Sequence, residues 1–198
     1  MKNIKLYVIL AVIALVVIVF VSGIKSTYNT IIQYDEQVNL SWSQVVTDYQ
    51  RRMDLIPNLV NTVKGYAEFE QETLIGVIEA RSNATKVELN VDKLDENSLR
   101  QIEQSQQALS SALSRLLVTV ERYPDLKANT NFRDLQAQLE GTENRIANAR
   151  RKFNESTQTY NSYIRMFPKN LYASMFGFEK KPYFEAAAGA EKAPEVQF

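Results

Sequence analysis

The sequence contains neither cysteine nor histidine among its 198 residues, and the absence of both limits the reactions it could catalyse and the metal sites it could form. Without cysteine the chain has no disulfide, no thiol nucleophile, no zinc site built on thiolates and no lipid-modified cysteine. Without histidine it lacks the commonest metal ligand and the usual general base near neutral pH. The composition therefore predicts a protein that is not an enzyme, uses no cofactor and has no catalytic, cofactor-binding or metal-binding residue.

An excess of charge of one sign is missing too, because 23 lysines and arginines balance 23 aspartates and glutamates. A nucleic-acid-binding protein needs a basic surface that neutralises phosphates. We therefore expect no nucleic-acid partner, and no residue pattern predicts a small-molecule substrate.

A long apolar run is present near the N-terminus. Residues Leu6 to Ile24 read LYVILAVIALVVIVFVSGI and contain no charged residue. As a helix the run would be roughly 29 Å long, close to the hydrocarbon thickness of a bilayer. It predicts a transmembrane anchor through which residues 6–24 contact the lipid bilayer. A buried core helix and a cleaved signal peptide, with small residues at 21–23, are the alternatives.

The charges beside this run predict its orientation. Lys2 and Lys5 precede it, whereas only Lys25 follows closely and the next cations are Arg51 and Arg52. Positive charges near a spanning helix favour the cytoplasmic side. We therefore expect a single-pass protein of the cell membrane with its N-terminus inside and its main domain outside the cytoplasm.

The first predicted helix of that domain runs from near Thr27 to Asn83. Pro57 lies inside it and lacks the amide that would bond to the carbonyl of Met53, so a kink is expected there. A hairpin at Pro57 is the alternative, but the flanking sequence has no glycine and no polar loop. The apolar residues of this helix recur at spacings of three and four, and they are Val38, Trp42, Val45, Tyr49, Met53, Ile56, Val60, Val63, Ala67 and Leu74.

Two further long helices follow. The apolar face of one covers residues 99–120, with a capping box of Ser98 and Gln101 predicted at its start. The face of the other covers residues 132–164, with Asn131 as the predicted cap and Phe167-Pro168 as the end.

Three amphipathic helices joined by short polar links can bury their apolar faces only against one another, which predicts an antiparallel bundle. A short helix is expected between Pro168 and Gly177. The predicted fold class is therefore all-α, a transmembrane helix followed by a bundle of three long helices and a short C-terminal one. The expected segments are a basic flank (1–5), the anchor (6–24), the bundle domain (25–178) and a disordered tail (179–198).

One segment resembles a known family. Residues Tyr49 to Tyr66, YQRRMDLIPNLVNTVKGY, are similar to the signature of the LemA family, and Trp42 together with Glu79-Ala80-Arg81 fits the same pattern. The resemblance extends over nearly the whole chain. It implies a membrane-anchored helical bundle of bacterial type without an agreed biochemical activity. Descriptions of the family place the short N-terminus outside the cell, opposite to the orientation that the charges favour.

Two groups of residues are candidate interaction sites. One is a docking face for another protein or another copy, and the alternative is that its arginines pair within the fold while its asparagines satisfy carbonyls around the proline. The other is an aromatic patch suited to an interface or a partner, and the alternative is that its rings cover the end of the bundle. The docking face comprises Arg51, Arg52, Asp54, Pro57, Asn58, Asn61 and Lys64, and the aromatic patch comprises Phe167, Tyr172, Phe176 and Phe178.

Taken together, the residues predict a membrane-anchored, non-enzymatic scaffold or adaptor of the bacterial cell envelope. It would act through protein-protein contacts with an envelope partner or through self-assembly into a homo-oligomer. The alternative is a signal-transmitting sensor or regulatory subunit of a membrane system.

Overall fold

The computed structural model describes residues 2–66, 70–89 and 94–185, with side chains from residue 7 onward. These residues form helices and no strands, which confirms the all-α prediction. The helices are α1 (Lys2–Lys64), α2 (Gln71–Lys86), α3 (Glu96–Val120), α4 (Pro124–Ala128), α5 (Thr130–Arg165) and α6 (Lys169–Met175).

Helix α1 is 63 residues long and joins the apolar N-terminal run to the first helix of the domain without a break. Pro57 lies inside it, so the hairpin alternative is excluded, while the kink stays a prediction. The predicted continuation to Asn83 is wrong, because α1 ends at Lys64 and α2 begins at Gln71. Gly65 follows α1 and disfavours helix, and between Val63 and Leu74 the predicted apolar face depended on Ala67 alone.

Helix α3 buries every predicted position of its apolar face, namely Leu99, Ile102, Gln106, Leu109, Leu113, Leu116 and Val120. Its start differs from the prediction, because Asp95 is the cap. The Asp95 carboxylate accepts from the Ser98 amide at 2.7 Å, and the Asp95 amide donates to Ser98 Oγ at 2.9 Å. The hydrogen bond from the Ser98 amide also lowers the pKa of the Asp95 carboxyl below its usual value.

The N-terminal cap of helix α5 lies two residues earlier than predicted. The Phe132 amide donates to Asn129 Oδ1 at 3.1 Å, so Asn129, and not Asn131, caps the N-terminus of α5. The short helix expected between Pro168 and Gly177 is α6, so this prediction is confirmed. Gly177, with φ +75°, lets the chain turn, and the Phe178 amide donates to the Ala173 carbonyl at 2.9 Å.

The chain divides into two compact units, and α1 and α5 contribute to both. The described part of the first unit is residues 2–40 and 155–181, and that of the second is 41–66, 70–89, 94–154 and 182–185. In the second unit, α2 packs against α3, and buried side chains from five helices form the core, among them Ile56, Val77, Leu109, Leu126 and Phe132. The antiparallel arrangement of the long helices stays a prediction.

Part of the expected tail is packed. Asn161 Nδ2 donates to the Lys181 carbonyl at 2.8 Å, and the Lys181 amide donates back to Asn161 Oδ1 at 2.9 Å. Asn154 exchanges the same pair of bonds with the backbone of Phe184, whose side chain is buried. The rest of the expected tail, residues 186–198, lies outside the described residues.

Candidate functional site

The signature segment places one of its two arginines in the interior of the second unit. Arg52 is only 2 % exposed, although it was predicted to belong to the docking face. Its Nη1 donates to Glu143 Oε2 at 2.7 Å and to Ser110 Oγ at 3.0 Å, and its Nη2 donates to Gln106 Oε1. A buried guanidinium is stable only when paired. Arg52 therefore joins α1 to α3 and α5 within the fold.

A second buried charge lies one turn before it on α1. Asp48 is 4 % exposed, and its carboxylate lies 3.7 Å from Arg145 Nε of α5 and accepts from Gln44 Nε2 at 3.0 Å. Asp48, Arg52, Gln106, Glu143 and Arg145 form what we term the charge cluster. The sequence did not predict that Asp48, Glu143 and Arg145 belong to this cluster. The available signal was the spacing of Asp48 and Arg52, an acid and a base four residues apart among apolar positions.

The carbonyl that Pro57 leaves without an amide has a partner from another helix. Arg81 Nε of α2 donates to the Met53 carbonyl oxygen at 2.8 Å. An asparagine was expected to fill such a role, but here an arginine side chain substitutes for the missing backbone N–H. Arg81 lies in the downstream part of the family pattern. Pro57 and Arg81, both residues of that pattern, are therefore linked through the Met53 carbonyl.

Four polar residues of the signature segment remain exposed on α1. Arg51, Asp54, Asn58 and Asn61 follow spacings of three, four and three, which places them along one helical face. We term these four the motif face. Lys64 is also exposed, and Pro57 is half-buried. Within the part of the chain that the structure describes, no hydrogen bond or ion pair engages the side chains of these four residues, so the polar groups of those side chains are available to a partner.

A groove of about 430 Å³ adjoins the motif face between α1 and α2. Asp54 and Arg81 supply its charges, and Met53, Ala84 and Val87 are among its apolar lining residues. A carboxylate, a guanidinium and an apolar floor suit a protein surface better than a small apolar ligand.

Trp42, which precedes the signature, belongs to the core. It is 2 % exposed, and its indole Nε1 donates to the Leu89 carbonyl at 3.1 Å. Its ring centroid lies 5.4 Å from that of Phe153 and 6.0 Å from that of Phe184. The guanidinium of Arg150 lies 4.4 Å from the centroid of Phe184. Phe184 lies in the segment 179–198, which was expected to be a disordered tail.

Burial also changes the acidity of one signature residue. Tyr49 is 1 % exposed, and this burial raises the pKa of its phenol to about 12 because the phenolate would lose its hydration. Its hydroxyl has no hydrogen-bond partner among the described residues. The same cause raises the pKa of Tyr160, in the first unit, to about 12.

The aromatic patch lies in the first unit, and three of its four residues contact α1. The ring of Tyr172 lies 6.3 Å from that of Phe20, and the rings of Phe176 and Phe178 lie 5.0 Å and 5.7 Å from that of Tyr28. Phe167, by contrast, is 81 % exposed. The structure therefore brings Tyr172, Phe176 and Phe178 together on α1 and leaves Phe167 outside that group.

The arrangement of acidic side chains bears on metal binding. Within residues 2–66, 70–89 and 94–185, no three acidic side chains lie close enough together to hold a metal ion. The charged groups that do meet are pairs, such as Arg150 with Glu103 and Arg122 with Glu70.

These features define a class of all-helical proteins. The first helix of such a protein begins with an apolar segment and continues into the core of the domain, where it contains the polar signature segment. The sequence profile of the LemA family matches residues 41–198. The chain therefore belongs to the LemA family, as the signature segment predicted.

Three named relatives are similar over most of the chain. The magnetosome protein MamQ of Magnetospirillum gryphiswaldense is 26% identical over 198 residues, which covers 91% of this chain and 73% of the relative. Magnetosome protein MamQ 2 of Paramagnetospirillum magneticum is 25% identical, with 85% of this chain and 68% of the relative covered. Protein LemA of Metamycoplasma hominis is 25% identical, with coverages of 80% and 69%.

Proposed function

We propose that this protein is a single-pass membrane protein whose helical domain acts as a non-enzymatic scaffold or adaptor in the bacterial cell envelope. The observation that carries the proposal is the composition of α1. One uninterrupted helix contains an apolar segment that is not buried in the protein, followed by core residues such as Val45, Ile56 and Val63. An anchor and a binding domain are thereby joined by a single element.

The apolar segment fits lipid better than a protein core. Its residues are exposed from Tyr7 to Gly23, with Leu15, Ile18 and Val19 each more than 60 % exposed. Exposed apolar area costs about 25 cal/mol per Å² in water, so a helix of this composition needs an apolar solvent. Lys2 and Lys5 before the segment outnumber Lys25 directly after it, and this asymmetry favours a domain outside the cytoplasm.

Alkaline carbonate extraction tests the anchor. We expect the full-length chain to stay with the membrane pellet and to keep the mass of the uncleaved polypeptide. A chain that appears in the supernatant at full mass would contradict membrane insertion, and a shortened chain there would show a cleaved signal peptide instead.

The motif face is the proposed contact with a partner, either an envelope protein or a second copy. Arg51, Asp54, Asn58 and Asn61 present both charges and amides on one helical face. The adjoining groove adds apolar area beside Asp54 and Arg81. Mixed polar and apolar surfaces of this kind are typical of non-obligate protein contacts.

Crosslinking in intact cells tests this face. A photoreactive residue at Asn61 should give one defined product, with an envelope protein or a second copy, and the product should weaken when Asp54 is replaced by lysine. The matched control is a photoreactive residue at Asn144, which is exposed on α5. Products that are equal at both positions, or absent at Asn61, would contradict the docking proposal.

A signal-transmitting regulator is the second candidate, and the continuity of α1 favours it. Pro57→Ala separates the two functions, because this substitution alters the helix that would carry the signal. A regulator should change its output while a scaffold keeps its crosslinked partner.

A further inference from the structure

Helix α6 packs onto α1 at the level where the apolar segment ends. Tyr172 contacts Phe20, which lies inside residues 6–24, about one helical turn before the end of that range. Phe176 contacts Tyr28, about one turn beyond the end. If residues 6–24 cross a bilayer, α6 therefore lies at the boundary between hydrocarbon and headgroups.

Part of the outer surface of α6 and of the turn before it is apolar. Met166, Phe167, Leu171 and Met175 are 52 %, 81 %, 58 % and 62 % exposed. Leu171 and Met175 are four residues apart and share one helical face. We term these four residues the α6 apolar surface. Soluble domains seldom expose large, adjoining apolar side chains, and such surfaces usually mark a binding site.

The residues around this surface suit a membrane interface. The described stretch 165–180 carries Arg165, Lys169 and Lys180 against a single acid, Glu179. The ammonium group of Lys169 lies 3.8 Å from the centroid of the Tyr163 ring. Tyrosines and cations beside an apolar surface are typical of the headgroup region, where cations attract anionic lipids.

We propose that the α6 apolar surface inserts into the same leaflet in which α1 leaves the bilayer, so that α6 is a second, interfacial membrane contact. The proposal rests on the proposed membrane anchoring, because residues 6–24 set the level of the membrane. Continuity with that segment selects lipid as the occupant, since the contact of Tyr172 with Phe20 places α6 beside a helix that already faces acyl chains. A partner protein on this surface would have to share the membrane boundary.

The absence of native cysteine makes a single-label test direct. The full-length chain would carry one cysteine, labelled with the polarity-sensitive fluorophore NBD, in vesicles of phosphatidylcholine and phosphatidylglycerol with brominated acyl chains. Met175→Cys reports on α6, Val16→Cys on the anchor and Asn144→Cys on the exposed surface of α5. We expect quenching by shallow bromines at residue 175, quenching by deep bromines at residue 16 and no quenching at residue 144.

The outcomes separate the two proposals. A label at residue 175 that is as unquenched as the label at 144, while the label at 16 is quenched, overturns the α6 inference and leaves the anchor intact. An unquenched label at 16 overturns the anchor itself. A blue-shifted label at 175 that bromine does not quench, but that self-quenches as the protein density rises, shows that a second copy covers α6 and also overturns lipid contact.

A charged substitution provides an independent check. Leu171→Glu, introduced beside the label at 175, should reduce the shallow quenching and shift the emission to the red. Asn170→Glu is the matched control, because Asn170 is exposed and already polar. Equal effects of the two substitutions would contradict a lipid-facing side of α6.

Discussion

The second unit buries charge where an apolar face is expected, and the first unit exposes apolar side chains where polar ones are expected. In the charge cluster, Asp48 and Arg52 occupy the interior with partners on α3 and α5. In the α6 apolar surface, Phe167 and Met175 are exposed. These are opposite departures from the usual distribution of charged and apolar side chains, and each has its own explanation. Buried charge is explained by partners inside the fold, and exposed apolar area by an environment outside it.

The strongest test of the interior explanation is Arg52→Ala. This substitution removes a buried cation, creates a cavity and leaves Gln106 without a partner, so we expect the free energy of unfolding to fall by about 3 kcal/mol or more. Chemical denaturation of the full chain in detergent, followed by circular dichroism, would measure the loss. The neighbouring control Arg51→Ala should change stability by no more than about 0.5 kcal/mol. Equal effects at both positions would contradict the charge cluster.

The bond between Arg81 and the Met53 carbonyl should have a smaller effect that depends on Pro57. Arg81→Ala leaves that carbonyl without its donor, so we expect a loss of about 1–2 kcal/mol. In a Pro57→Ala background the new backbone amide can bond to the same carbonyl, and the loss should shrink. A double-mutant cycle from denaturation curves measures this coupling. A coupling of zero would show that Arg81 does not substitute for the missing amide.

A methyl group should destabilise the turn after α6, whereas a methyl group in a helix interior should be stabilising. Gly177→Ala forces a side chain into a positive-φ conformation, and we expect a local cost of about 1 kcal/mol. Faster hydrogen exchange of the Phe178 amide would report it. Gly141→Ala, in α5, meets only Arg145 Nη1 at 3.6 Å and should stabilise the chain by about 0.5–1 kcal/mol. Slower exchange at Phe178 in the Gly177→Ala variant would contradict the proposed turn.

At neutral pH, Tyr49→Phe should have the smallest effect of the four, because the hydroxyl that it removes has no hydrogen-bond partner among the described residues. At high pH the effect should grow. The folded-state pKa is raised to about 12, so this tyrosine's contribution to stability is complete below pH 10 and is lost between pH 10 and 12. Over that range wild type should lose about 1.4 kcal/mol per pH unit relative to Tyr49→Phe. Parallel alkaline unfolding curves would contradict the burial of Tyr49.

The sequence predicted those parts of the fold that local pattern determines. Every position that was predicted for the apolar face of α3, from Leu99 to Val120, is buried, because regular spacing and burial coincide there. The caps of α3 and α5 were misplaced. Asp95 and Asn129 accept hydrogen bonds from the first amides of these helices, and the predicted caps Ser98 and Asn131 have side chains that could accept the same kind of bond. The end of α1 was missed, because one weak apolar residue, Ala67, concealed a break beside Gly65.

The candidate site was less predictable, because its contacts depend on how distant helices align. Arg52 and Glu143 are 91 residues apart in sequence, so the local pattern around Arg52 could not identify its partner on α5. The pairing of Arg81 with the Met53 carbonyl likewise depends on the packing of α2 against α1. The aromatic patch was found from composition alone, but only the contacts with Phe20 and Tyr28 relate it to the apolar segment.

The stacking of Trp42 on Phe184 makes the protein its own spectroscopic probe. The chain has a single tryptophan, and its indole lies 6.0 Å from a ring contributed near the C-terminus of the described chain. Detachment of residues 182–185 would hydrate that indole and shift its emission to longer wavelength. Intrinsic fluorescence can therefore follow the docking of the C-terminal segment without any added dye.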